Sequence, residues 1–120
     1  MLIKFDQIND TVLEHFKGGE GTLISKMFTD TNGKIMRGRL LPHSTVGLHT
    51  HEGNSEIIFI LSGVGKVLYD GEYLPLKPGD CHYCPMNHEH SLINDSEEEL
   101  VFYAVVPEHG VAGSTSFVSP

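Results

Sequence analysis

Residues 49–63 read H-T-H-E-G-N-S-E-I-I-F-I-L-S-G. The apolar run Ile57, Ile58, Phe59, Ile60 and Leu61 is a buried strand or core segment, and far too short to span a bilayer. Just before it, His49 and His51 stand two residues apart, so on an extended strand both imidazoles project from one face. Gly53-Asn54 is turn chemistry that lets the chain reverse and bring Glu56 back beside the histidines. Two imidazoles and a carboxylate at the mouth of an apolar sheet suit a divalent metal, with any further ligand coming from elsewhere in the chain.

Outward from this stretch, the chain is a series of short strands punctuated by turns. Upstream, strands are expected over 23–28, 35–41 and 46–51, the first two joined through Asn32-Gly33, a hairpin signal because both residues tolerate positive φ. Downstream, Gly63-Val64-Gly65 is a bend, and Asp70-Gly71 joins strands over 67–69 and 72–76. Pro75 confines the latter to an edge or a strand end. Strands over 80–84, 90–94 and 100–106 follow, with the Glu97, Glu98, Glu99 run as a solvated connection. Residues 1–21 read as an N-terminal arm, where Thr11-x-x-Glu14 resembles a capping box but an extended segment fits equally well. Residues 22–108 form the barrel and 109–120 a small-residue tail. About nine short strands without a long helix mean one antiparallel all-β domain, a sandwich or barrel.

Composition bounds the function. The chain has 120 residues, 39% of them apolar, and a formal net charge of -8, which fits one folded domain and disfavours nucleic-acid and anionic-membrane partners. Acidic residues at 6, 10, 14 and 20 occupy the place of a signal-peptide core, so a cytoplasmic address is expected. Cys81 and Cys84 form a C-x-x-C, but an offset of three on a strand puts the thiols on opposite faces, against a shared ion or a disulfide. Both faces of the 57–61 run are apolar, so something must pack on each side; a homodimer is expected.

Two spacings in this chain resemble the motifs of the cupin superfamily. The family's first motif is a glycine, five residues, H-x-H, three or four residues, E, six residues and a glycine. Here His49-x-His51, Glu56 and Gly63 match, and His43 stands at the leading glycine. The second is a glycine, five residues, P-x-G, two residues, H, three residues and N. Gly79, Pro85, His90 and Asn94 match, and Asn87 replaces the inner glycine. Asn is the non-glycine residue most at ease in the left-handed region such a turn demands.

The resemblance implies an all-β fold, a conical antiparallel jelly-roll barrel with one divalent ion inside. Its ligands, carried over by position, would be His49, His51, Glu56 and His90. Three imidazoles and a carboxylate fit Mn, Fe, Ni, Co or Zn rather than Ca or Mg. In an octahedron they leave two positions for water, substrate or dioxygen. The resemblance further implies a metal-dependent enzyme acting on a small oxygen-rich organic acid, on the pattern of oxalate-type decarboxylases or dioxygenases, with sugar isomerases behind them. The alternative is a non-catalytic metal- and small-molecule-binding module, and a third possibility is a vestigial barrel that keeps the ligands for stability alone. The motifs assign no catalytic residue. Tyr83 or His82 could supply a proton, His82 shares a strand face with Cys84, and His88 shares parity with His90 but falls in the motif's turn. His15, His43 and His109 are expected at the surface.

Overall fold

The computed structural model describes residues 1–110; most of the expected tail, from residue 111 on, lies outside the described residues. The described chain runs through β1 (Thr11–Glu14), β2 (Thr22–Asp30), β3 (Gly33–Leu40), β4 (Ser44–Thr45) and β5 (His49–Thr50). It continues through β6 (Glu56–Ser62), β7 (Gly65–Tyr69), β8 (Glu72–Leu76), β9 (Cys81–Cys84), β10 (Glu89–Asn94) and β11 (Leu100–Pro107). One sheet has the order β1-β2-β3-β11-β6-β9; the other has β4-β10-β7-β8, with β5 also pairing to β10. Every pairing is antiparallel, and the two sheets close on each other as a jelly roll. Among the described residues, no helix is long and apolar enough to cross a membrane.

The period of two predicts the core. On β11 the side chains of Leu100, Phe102, Ala104 and Val106 are buried while their neighbours are half-exposed; on β3 the buried set is Met36, Gly38 and Leu40. Phe102 lies opposite Gly38 in the register, and a Cβ at position 38 would collide with the Phe102 ring. The large ring therefore requires a glycine across the ladder.

Several expectations change in detail. Thr11–Glu14 pairs with β2 as a strand, so the capping-box pattern starts no α-helix, and the arm continues into a 3-10 turn at Phe16–Gly18. The strand expected over 46–51 is broken: the Val46 N–H donates to the Leu92 carbonyl and the Gly47 N–H to the Phe16 carbonyl. That segment serves the N-terminal turn as well as the sheet. Asp70 and Gly71 both take positive φ, as a two-residue hairpin needs, whereas at the first hairpin only Gly33 does and Thr31-Asn32 form the loop. Pro75 sits on β8, an edge strand. Two of the three consecutive glutamates find side-chain partners, Glu97 at the His43 ring and Glu99 at the Arg39 guanidinium.

Asn94 closes the barrel's lower loops. Its amide donates to the carbonyls of Leu40, Leu41 and Glu98, and its Oδ1 accepts from the Ser96 N–H and hydroxyl. At 1% exposure nothing replaces those bonds. Asn94→Ala is expected to cost at least about 2 kcal/mol, because it strands buried backbone carbonyls, and urea denaturation would register the loss.

Candidate metal centre

Local sequence brings four donors to one end of the barrel. His49 on β5 lies directly across from His90 on β10. His51 follows two residues later, its N–H held by the His88 carbonyl, and the 52–55 turn returns the chain to Glu56 at the start of β6. One donor atom from each of His49, His51, Glu56 and His90 lies within 4.8 Å of every other. Three of these form a tight triangle: His51 Nε2 to His90 Nε2 is 3.0 Å, His51 Nε2 to Glu56 Oε1 is 3.1 Å, and His90 Nε2 to Glu56 Oε1 is 3.0 Å.

The far side of each ring explains which nitrogen faces inward. His49 Nδ1 donates to the Gly47 carbonyl at 2.7 Å, and His51 Nδ1 donates to Asn54 Oδ1 at 2.7 Å. The Asn54 amide nitrogen points to Glu108, which assigns its oxygen to His51. With Nδ1 protonated, a neutral His51 turns an Nε2 lone pair toward a carboxylate. His90 Nδ1 meets His82 Nε2 at 3.0 Å, so a third ring is oriented from behind in the same manner.

Lone pairs and a carboxylate gathered in an apolar site call for a cation or shared protons. Burial pushes the Glu56 carboxyl up, yet the hydrogen bonds with His51 and His90 outweigh it and hold the group down at about 2. The bond to Glu56 raises His51 against its own burial, while burial lowers His49. The spacing also fits an ion. Two donors bound side by side to one octahedral cation at about 2.1 Å stand about 3.0 Å apart, whereas a tetrahedral site spreads them to about 3.4 Å. The observed triangle, at 3.0–3.1 Å, has the length of ordinary hydrogen bonds and is compact enough for one ion.

Beside the donors lies a cavity of about 240 Å³. Its walls include the apolar side chains of Phe16, Met36, Val46, Leu92 and Phe102, and its polar lining includes Lys17, Lys34 and Glu52.

Comparison with known proteins identifies the family. Residues 36–106, more than half of the chain, match the cupin domain family. The chain belongs to the cupin family. This cupin is 33% identical over 112 residues to an oxalate-binding protein of Thermotoga maritima, covering 88% of this chain and 93% of that protein. It also resembles the crystal structure of a predicted oxalate decarboxylase from Thermotoga maritima, at 30% identity and a TM-score of 0.84, over 90% of this chain and 99% of that one. A sugar phosphate isomerase of the cupin superfamily from Silicibacter pomeroyi shares the fold, with 20% identity and a TM-score of 0.72 over 90% of this chain and 76% of that one.

Other residues singled out in the sequence of this cupin divide by strand face. His82 and Cys84 are buried, whereas Cys81 and Tyr83 point outward, so the two thiols remain apart and free. Burial, then the charge of His90, brings His82 down to about 4; burial lifts the Cys84 thiol to about 12. His82 stands behind His90 rather than on the cavity wall. His88 turns away to Asp70 and the Tyr69 hydroxyl. His15, His43 and His109 are all exposed, as expected, with His109 hydrogen-bonded to the Ser55 hydroxyl and His15 to the Gly19 carbonyl. Gly47, Asn54, Lys17 and Lys34 escaped the sequence reading. The turn signal at Gly53-Asn54 was legible, but the hydrogen bond from His51 was not.

Glu56 gives a pH signature. Its carboxyl is held below its ordinary 4.5, at about 2, so its contribution to stability is complete above 4.5 and is lost as the pH falls toward 2. In chelator-treated protein, Glu56→Gln is expected to flatten the acid limb of the urea midpoint across that window. An unchanged slope would mean that Glu56 is not held ionised by its neighbours.

Proposed function

We propose that this cupin holds one divalent transition metal at His49, His51, Glu56 and His90, and uses it to bind a small oxygen-rich organic acid of the oxalate type. The single observation that carries the reading is the 3.0–3.1 Å triangle of His51, His90 and Glu56 donors. Three imidazoles and a carboxylate suit Mn, Fe, Co, Ni or Zn. When bound, such an ion supplies Lewis acidity toward a carboxylate. The chain's own part is to hold the imidazoles through the Gly47 carbonyl and the Asn54 amide, and to surround the acid with apolar walls that exclude water. The similarity to a protein named for oxalate binding supports the acid class.

Catalysis, either decarboxylase-like or dioxygenase-like, is the second reading. Decarboxylation needs a proton donor, and neither donor suggested by the sequence reaches the cavity: Tyr83 is outward and His82 is behind His90. Glu52 favours this reading, because it is a carboxylate on the cavity wall outside the donor set.

The outer surface supports a homodimer. Phe59, Leu61 and Tyr83 are 45%, 39% and 55% exposed on the β6–β9 face, and β9 is the free edge of its sheet. We infer that a second copy covers this edge.

Protein purified without chelator is expected to contain close to one equivalent of transition metal by elemental analysis, and His90→Ala to lose most of it. Content well below one equivalent in the wild type would overturn the metal reading. With Mn or Fe loaded, oxalate is expected to bind by calorimetry. Carbon dioxide release or oxygen uptake across a panel of organic acids would establish catalysis, and silence with tight binding would leave a binding module. Light scattering at micromolar concentration is expected to give twice the chain mass, shifting to the monomer in Phe59→Lys.

A further inference from the structure

Two lysines at the cavity have no role in the account above. Lys26, Arg39, Lys66 and Lys77 each pair with a carboxylate. Lys4, Lys17, Lys34 and Arg37 have no ion-pair partner among the described residues, and of these four Lys17, whose ammonium lies over the Phe16 ring, and Lys34 line the cavity. Lys34 shares the inward face of β3 with Met36 and Leu40, and lies across from the buried Val106. A lysine on the core-facing parity of a central strand is unusual, since a position serving solubility alone belongs on the other face.

Lys17 is placed by backbone rather than by strand parity. It takes φ 57 and ψ 27, left-handed values that a non-glycine residue adopts only where its surroundings enforce them. Here the enforcement is visible. The Phe16 carbonyl accepts from the Gly47 and Gly19 N–H groups, and the Gly18 N–H donates to the His15 carbonyl. A Cβ at Gly47 would collide with the Lys17 carbonyl, so the turn is pressed against the segment that leads into His49.

Charge and shape then define the occupant. Lys17 and Lys34 balance Glu52 and Glu56 along the cavity, and a divalent ion at the donor set leaves an excess of two positive charges, the complement of a dianion. Oxalate would satisfy that charge but has no C–H surface, while the wall presents Met36, Val46, Leu92 and Phe102. The cavity, at 240 Å³, has the space of about eight waters, enough for a longer acid. Carbon between two acid groups is what such walls would bury.

We propose that Lys17 and Lys34 are specificity-determining residues that hold the distal carboxylate of a dicarboxylate, whose other end, a carboxylate with a neighbouring oxygen, sits at the His49–His51–Glu56–His90 centre. The proposal rests on the acid-binding reading of the preceding subsection and narrows the acid to a diacid with a hydrocarbon spacer. The two lysines contribute charge-assisted hydrogen bonds from outside the donor set.

The test compares malate with 2-hydroxybutanoate, which share a four-carbon chain and a chelating end but differ in the distal carboxylate. Calorimetry on Mn-loaded protein, its metal content checked by elemental analysis, is expected to show malate binding about tenfold tighter or more. Lys17→Gln and Lys34→Gln each shrink that ratio, the double variant brings it close to one, and Lys→Arg at either position preserves it. Metal content and melting temperature stay at the wild-type level, which separates charge recognition from a folding effect. A ratio near one in the wild type, or a ratio unchanged in the double variant, overturns the proposal; if oxalate still binds, the acid-binding reading survives. If the fully loaded protein binds none of the three acids, both fall.

Discussion

A carboxylate and imidazole nitrogens packed 3 Å apart inside a barrel are a costly arrangement unless positive charge lies among them. Glu56 and His90 are only 8% and 1% exposed, so water cannot relieve the cost. The rest of the barrel's open end is arranged around that constraint. Each imidazole is turned by a partner on its outer nitrogen: a backbone carbonyl for His49, an amide for His51 and another histidine for His90. Such partners leave little rotational freedom, so the donors stay converged without being held by a local helix or a disulfide.

Strand β10 carries much of this order. His90, Leu92 and Asn94 lie on one face, the first at the donor cluster, the second on the cavity wall and the third tying together the loops around Leu40 and Glu98. A slip of one residue would turn all three outward at once. The register that builds the site is therefore also the one that seals the opposite end of the barrel. Any alternative pairing of β10 strands backbone carbonyls at Leu40 and Leu41 as well as losing His90.

Much of this was legible in the sequence, and the limits have physical causes. The strands over 35–41, 57–61 and 100–106 and the Asp70-Gly71 turn are local signals, and they emerged in the chain where expected, although the outer face of 57–61, with Phe59 and Leu61, is exposed in the single chain. The two departures from the cupin motifs also resolve locally. His43 and Asn87 stand in place of glycines and take φ 55 and 71, so the backbone keeps the left-handed bend and accepts a side chain there. What stayed hidden depends on contacts between distant segments. Nothing in residues 46–48 announces that Gly47 must bond to Phe16, so the segment read as a continuous strand. Lys17 and Lys34 belong to no sequence motif, because their position is set by tertiary packing, seventeen residues apart in the chain and on one cavity in space.

Gly47 shows how such packing can impose a conformation that local preference opposes. Its N–H receives no sheet partner and instead binds the Phe16 carbonyl, while its own carbonyl accepts the Nδ1 proton of His49. One residue thus joins the N-terminal turn to the His49 ring. Left-handed backbone at His15 and Lys17 costs about 1–2 kcal/mol per residue for non-glycine side chains. Against that cost stand the bonds from Gly18, Gly19 and Gly47 and the exchange between Glu20 and Thr45, in which each backbone N–H finds an acceptor. A set of several such bonds, each worth roughly 0.5–1.5 kcal/mol net, is sufficient to hold the turn where isolated residues would relax it. The cavity wall beside His49 thus takes its shape from the barrel it closes, and a chain segment with little structural preference of its own acquires a fixed place at the site.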